Sequence, residues 1–183
     1  MQYFKDEEHE YVLCFDIEFD KKKLVQFAGI LFKKINKSIY QPYRSLNCYV
    51  QTTVSFPFTA YTGITNQFLQ ECGVPLESVV QQVEDDLLKD IDLDKILIVS
   101  HGVHNDSLIL IQNYINLNYN KLSIKPIDHY CTFENARKIL LRKTDLKLED
   151  IAEECCLHAV SEHDAFNDAW ITVGVFSYLK ALE

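Results

Sequence analysis

From Tyr11 to Phe19 the chain reads YVLCFDIEF, apolar at successive positions as far as Phe15 and then carrying acids at alternate ones, Asp16 and Glu18, with Asp20 next in line. A strand buried on both faces reads as a continuous apolar run, whereas an edge strand facing water alternates throughout. The pattern therefore predicts a central strand whose end runs into a polar site. DKKK then turns the chain. LVQFAGILF (24–32) and SIYQPYRSLNCYV (38–50) follow as β-rich runs joined by KKINK, which predicts an antiparallel meander of the first three strands. Pro42 marks the third of these as an edge strand or a bulged one, because proline cannot donate to a ladder.

Beyond SFPF the periodicity changes. TAYTGITNQFLQEC passes from loop to helix, with Gly63 able to take an unusual backbone angle and Thr65 placed as an N-cap. Residues 76–89 form an amphipathic pattern with Val79, Val80, Val83 and Leu87 inward. KILIVSH (95–101) reads as a short buried strand, DSLILIQNYI as a helix and KPIDHYCT as a further short strand, and helices cover 133–142, 147–155 and 164–182. The order predicts an α/β fold: a mixed five-stranded sheet, its first three strands antiparallel, flanked by helices on both faces. Its 183 residues, 48% apolar, suit one domain spanning 1–183.

Charge and cysteine content narrow the chemistry. A formal charge of −9 argues against a broad, sequence-independent grip on duplex DNA, since that affinity comes mainly from Lys and Arg neutralising phosphates. Acids gathered around bound divalent cations can still present a positive site on a negative protein. The six cysteines form no CxxC pair and read as reduced and structural, and the adjacent pair in ECCLH with His158 makes a poor chelate. No run of about 18 apolar residues is present to span a bilayer, and MQYFKDEEHEYV lacks the basic and apolar regions of a secretory signal. The expectation is a cytosolic (cytoplasmic) chain with no membrane partner.

Three polar clusters stand out. Asp16 and Glu18 project to one face of their strand about 7 Å apart, close enough to converge on one hard cation, while Asp20 lies at the start of the turn. In SHGVHND a buried strand ends in His101, His104, Asn105 and Asp106. Asn105 or Asp106 is placed there to cap the next helix, and no third soft ligand lies at ordinary zinc spacing from the two histidines. In SEHDAFNDAW, Asp164 and Asp168 share a helical face one turn apart. The helix macrodipole explains Asp164, but Asp168 sits a turn further in beside an apolar stripe, with His163 just upstream.

Together these clusters resemble the motifs of the DEDDh branch of the 3′-to-5′ exonucleases, the superfamily with an RNase H-like fold that includes the proofreading subunit of bacterial DNA polymerase III. FDIEF is similar to its D-x-E strand motif, HGVHND to its helix-opening Asp with a His five residues upstream, and HDAFND to its H-x-A-x-x-D motif. YTGIT (61–65) resembles the T-G-I-T segment of many members. The resemblance implies that Asp16, Glu18, Asp106 and Asp168 hold two ions, Mg²⁺ or Mn²⁺, and that His163 is the general base. Substrate contacts are expected at Thr62, Gly63, Ile64, Thr65 and His101, and at Phe19, which departs from the family pattern but offers a ring to stack on a base. The chemistry agrees: hydrolysing a phosphodiester needs a deprotonated water in line with the leaving oxygen and a sink for phosphoryl charge, which two cations about 3.5–4 Å apart supply. Histidine is the side chain that ordinarily titrates near neutrality, which suits it to accept the water's proton.

The chain departs from the family pattern at three places. Phe19 and Asp20 stand where small polar residues are common, Gly102 where Asn is frequent, and Asn105 where an aromatic often sits. The expected activity is release of nucleoside 5′-monophosphates from single-stranded or frayed DNA or RNA 3′ ends, alone or within a larger nucleic-acid-processing assembly. Lys138 and Arg142, on one predicted helical face, are placed to meet a phosphate. The alternatives are a non-catalytic module that binds nucleic-acid ends or a partner, and a phosphodiesterase acting on short oligonucleotides.

Overall fold

The computed structural model describes residues 2–3, 8–36, 39–116, 128–141, 147–157 and 163–183. Its sheet is built on β2 (Tyr11–Asp20), the strand singled out by its apolar run, with β3 (Lys23–Asn36) antiparallel on one side. β4 (Ile39–Tyr49) extends the meander, and the two-residue β1 (Gln2–Tyr3) pairs with its far edge. On the other side of β2 lie β5 (Ile96–Ser100) and then β6 (His129–Cys131), each parallel to its neighbour. The order is β1-β4-β3-β2-β5-β6, so the five expected strands are joined by one short edge strand. β2 is central, as its double-sided burial requires. The β3–β4 register slips between Leu31 and Phe32, which pair with Arg44 and Pro42 and leave Tyr43 as the extra residue. The break sits beside the residue that cannot donate to the ladder.

Helices cover both faces. On one, α3 (Leu76–Gln82) with the π-helical turn that extends it through Leu87, and α4 (Val103–Asn116), bury Val79, Val83, Leu87, Val103 and Leu110 against Leu13, Phe15 and Phe27. On the other, α5 (Thr132–Ile139), α6 (Leu148–Glu154) and α7 (Ala165–Leu182) pack Ala136, Ile151, Val173 and Phe176 against Val12, Cys14, Ile30 and Phe32. Each wholly buried Phe or Leu of this kind is worth about 2–5 kcal/mol against truncation to Ala.

Two short helices, α1 (Phe56–Thr62) and α2 (Asn66–Cys72), pack Phe58 and Leu69 with Ile64 against Val25 and Val54. The apolar and polar spacing alone does not reveal α1, because Pro57 in its first turn and Gly63 at its end bracket only seven residues. Gly63 caps it in the left-handed region, at φ 76°, and its N–H donates to the Thr59 carbonyl. Thr65 caps α2 as expected, accepting from the Phe68 N–H.

One helix start differs from the sequence expectation. α4 begins at Val103, so Asn105 and Asp106 lie within its first turn and neither is the cap. The cause is Gly102, at φ 108°, whose carbonyl accepts from the N–H groups of Asn105 (2.9 Å) and Asp106 (3.4 Å). Glycine adopts that angle freely, and the chain turns straight from β5 into helix. Among the described residues, no helix is long and apolar enough to cross a membrane.

Candidate active site

Strand alternation places Asp16 and Glu18 on the α7 face of β2, across from Ala28 and Gln26 of β3. Asp168 comes down from the first turn of α7, and one carboxylate oxygen from each of Asp16, Glu18 and Asp168 lies within 4.8 Å of the other two. Asp106 approaches from α4, and its carboxylate accepts a short hydrogen bond from the Ser100 hydroxyl at the end of β5. Residues far apart in the chain thus meet at the ends of β2 and β5, where strand ends and helix starts converge.

The electrostatics show how costly this convergence is. Burial, then the negative charges of Asp106, Asp168 and Glu18, hold Asp16 well above the usual carboxylate range. Burial pushes Glu18 up to about 7, reinforced by Asp168, Asp164 and Asp106. Burial also raises Asp106 to about 7, against the opposing effect of the Ser100 hydrogen bond. Like charges crowded into low dielectric resist ionising together unless a cation joins them. Asp16, Glu18 and Asp168 bring hard oxygen donors together, with the Asp106 carboxylate near enough to act on Asp16, and such a set can hold a hard divalent cation better than a soft metal.

Asp20 stands apart from this group. Its carboxylate accepts from the Ser55 N–H (2.6 Å) and hydroxyl (3.1 Å), tying the end of β2 to the start of α1. Asp164 is likewise engaged, capping α7 by accepting from the N–H groups of Phe166 and Asn167. The sharp β2–β3 turn, with Lys21 and Lys22 at positive φ, is gripped by Asn113 of α4, which accepts from the Leu24 N–H and donates to the Lys22 carbonyl.

His163 precedes α7 in the left-handed region, at φ 61°, and its imidazole stacks on Tyr61 with ring centroids 3.7 Å apart. The two rings help wall a cleft of about 180 Å³ that Lys147, Glu149, Asp168 and Ile171 also line. Tyr61 was not among the residues singled out from the sequence. It adjoins the T-G-I-T segment, but only the packing of α1 turns it toward the acids, where burial and then the charge of Glu18 raise its phenol. Lys147 and Glu149 reach the cleft through the placement of α6, which no local pattern announces.

The T-G-I-T residues shape the corner between α1 and α2. The Thr62 hydroxyl donates to the Phe58 carbonyl and accepts from the Ile64 N–H, Ile64 is buried, and Thr65 is the cap. Phe19 is 39% exposed at the end of β2, on the opposite face of the strand from Glu18. The β2–β3 register slips at this point, leaving Val25 as the extra residue. His101 is hydrogen-bonded through Nδ1 to the Thr132 hydroxyl (2.9 Å) and lies edge-on to Phe133. His104 turns to Glu134, Nε2 to Oε1 3.3 Å, beside His129. Cys14, Cys48 and Cys131 are buried, and the cysteines are free thiols. His158 and Arg142 lie outside the described residues, and Lys138 is exposed on α5.

The family profile RNase_T, described as an exonuclease family, matches residues 12–176, and the chain belongs to that family. A search of curated proteins gives no significant match. Solved structures share the fold at low identity. The nuclease domain of 3′hExo, a DEDDh family member bound to rAMP, superposes with a TM-score of 0.77 at 15% identity, over 94% of this chain and 92% of that one. Exonuclease I from E. coli, in complex with a dA16 oligonucleotide, gives 0.74 at 16% identity over 96% of this chain. Cell-death related nuclease 4 gives 0.72 at 16% identity over 93%. The chain spans 42% of that exonuclease I chain and 64% of cell-death related nuclease 4. The fold is shared with these exonuclease structures, and the family member described here carries a carboxylate cluster at its sheet's end.

Proposed function

We propose that the protein is a metal-dependent 3′-to-5′ exonuclease that removes nucleoside 5′-monophosphates from single-stranded or frayed DNA or RNA ends. The observation that carries this reading is the convergence of Asp16, Glu18 and Asp168 within 4.8 Å of one another, beside a cleft that holds His163. Asp106, which acts electrostatically on Asp16, completes a set of four carboxylates.

These four residues would hold two divalent ions, Mg²⁺ or Mn²⁺, which when bound lower the pKa of a water and neutralise charge on the phosphoryl and leaving oxygens. The protein's own groups do the rest. His163 takes the proton from the attacking water. Ser100 fixes one oxygen of Asp106 and so steadies that carboxylate. Lys147 lines the cleft with its Nζ 2.9 Å from Glu149 Oε1, and exchanging that carboxylate for a substrate phosphate would give the phosphate a cation to meet. Tyr61 is an exposed ring at the end of α1 and supplies stacking surface for an unpaired base beside the acids, whereas Phe19, exposed on the opposite face of β2 from Glu18, is turned away from them. The T-G-I-T corner and His101, steadied by Thr132, frame the terminal nucleotide. With a net charge of −9 the chain relies on this local machinery, which favours a free end in the cleft over a long duplex on the surface.

The test uses 5′-labelled single-stranded DNA and RNA, in a series of lengths, with Mg²⁺, with Mn²⁺ and with EDTA, beside the Asp16→Ala variant. A metal-dependent ladder shortening from the 3′ end and absent in the variant is the expected result. Full activity in Asp16→Ala would overturn the metal assignment. Cleavage confined to the shortest substrates would point to an oligonucleotide phosphodiesterase, and nucleic-acid binding with no cleavage to a non-catalytic module.

A further inference from the structure

His163 and Asp168 both ride on the start of α7, while Asp16 and Glu18 sit on β2, so the site depends on how that helix end is held against the sheet. Beneath it lies a polar knot. Gln26 interrupts the apolar run of β3 and has no solvent exposure. It pairs across the sheet with Glu18 on one side and Tyr49 on the other. Its Nε2, with two N–H groups to give, lies within hydrogen-bond distance of Asn47 Oδ1 (3.0 Å), the Tyr49 hydroxyl (3.1 Å) and Asp164 Oδ2 (3.3 Å). Its Oε1 accepts from the Ala165 N–H at 3.2 Å. The Tyr49 hydroxyl donates to the same Asp164 oxygen, also at 3.2 Å.

The division of labour within Asp164 is informative. A helix cap needs one oxygen, and Oδ1 fills that role for Phe166 and Asn167. Oδ2 is turned to the sheet, where a fully buried amide and a phenol are aimed at it. Gln26 grips the chain twice, through the Asp164 side chain and the Ala165 backbone. His163 is the adjoining residue, and Asp168 lies one turn on, its N–H donating to the Asp164 carbonyl at 2.9 Å.

We propose that Gln26 is a positioning residue: through Tyr49 and Asp164 it fixes the height and rotation of the α7 terminus, and so the placement of His163 and Asp168 relative to Asp16 and Glu18. This role rests on the nuclease reading above for its effect on turnover, though not for its effect on metal binding. The polarity of the knot is specific, with donors on Gln26 and Tyr49 facing an acceptor on Asp164. Gln26→Glu places two acceptors and two like charges together in a buried position, where unmatched groups are costly. Adding Asp164→Asn to that variant restores a donor facing an acceptor and the original net charge, and Asn remains a good helix cap.

The experiment compares wild type, Gln26→Leu, Gln26→Glu and Gln26→Glu with Asp164→Asn in three readouts: kcat and KM on a single-stranded oligonucleotide at saturating Mn²⁺, Mn²⁺ affinity by calorimetry, and thermal unfolding to confirm folding at the assay temperature. The expected result is a fall in kcat of about 10- to 100-fold in both single variants, the scale of a sub-ångström to ångström misplacement. KM should change little, Mn²⁺ affinity should weaken with kcat, and the double variant should recover most of both losses. Folded single variants with wild-type kcat and Mn²⁺ affinity would overturn the proposal, as would a double variant no better than Gln26→Glu. A wild-type protein that binds Mn²⁺ without cleaving would end the nuclease reading, and the affinity series would still decide the positioning role.

Discussion

The phenol ring of Tyr61 lies over the imidazole of His163, centroids 3.7 Å apart and planes inclined by 28°. One residue comes from a seven-residue helix and the other from the start of the last helix, so the stack ties α1 to α7 across the cleft. A ring held face to face has lost much of its rotational freedom, which is useful for a group that must meet a water in one orientation. Tyr61→Phe keeps the stack and should retain activity within a few-fold. Tyr61→Ala should lower kcat by about tenfold or more. Equal kcat in wild type and Tyr61→Ala, measured at saturating substrate, would show that the stack does not serve turnover.

Replacing His163 itself should be more severe. With His163 as the proposed general base, whose loss costs about 10² to 10⁴ in rate, His163→Ala should fall by that factor while still binding Mn²⁺, because the four carboxylates proposed to hold it are untouched. Single-turnover assays beside metal titration check both halves. A variant with undiminished turnover would move the proton to another acceptor.

The acid cluster makes a prediction about the metal-free protein. Glu18 and Asp106 are raised to about 7, and Asp16 is raised with them, whereas in the unfolded chain such groups titrate near about 4. Between those values the folded protein binds more protons than the unfolded one, so these groups make stability fall as pH rises across the window. Above the folded values the whole repulsive penalty is present. In EDTA the Tm should be higher at pH 5.5 than at pH 8, and Mn²⁺ should raise it more at pH 8. Asp106→Asn, which removes one charge, should raise the metal-free Tm at pH 8 relative to wild type. An unchanged Tm in that variant would mean that the acids do not repel one another as their packing indicates.

Gly63 offers a test of the fold beside the site. A Cβ added there would meet nothing within 4 Å, so the cost of substitution is conformational and comes from φ 76°. Gly63→Ala should destabilise by about 1–2 kcal/mol, and Gly63→Asn by less, because Asn tolerates the left-handed region better. Urea midpoints of the two variants give the ranking, and a reversal would imply that a neighbour contacts the added side chain.

Mn²⁺ and Mg²⁺ removal separates chemistry from folding. Dialysis against EDTA at pH 6, where part of the carboxylate charge is neutralised, should leave the secondary structure intact by circular dichroism and abolish cleavage. Restoring either ion should restore activity. Unfolding on chelation at that pH would give the ions a structural role that the two packed cores do not require.

What was legible in the sequence was legible because it is local. Alternation put Asp16 and Glu18 on one face of a central strand, and the break at Pro42, the cap at Thr65 and the inward row from Val79 to Leu87 all follow from backbone geometry over a few residues. Where a local rule had competitors it went astray: Gly102 starts α4 ahead of Asn105 and Asp106, and Pro57 with Gly63 makes a helix too short for periodicity to show.

The order of motifs FDIEF, HGVHND and HDAFND, and the kind of chemistry their acids suit, were determined by the sequence alone. Tertiary structure decided which of the acids converge, setting Asp168 against Asp16 and Glu18 while Asp20 was drawn off to Ser55 and Asp164 to Gln26 and Tyr49. It also brought Tyr61 and Lys147 to the cleft and buried Gln26 under α7. These are contacts between residues tens of positions apart, set by how helices seat on a twisted sheet, and no spacing along the chain encodes which polar side chain will find which partner.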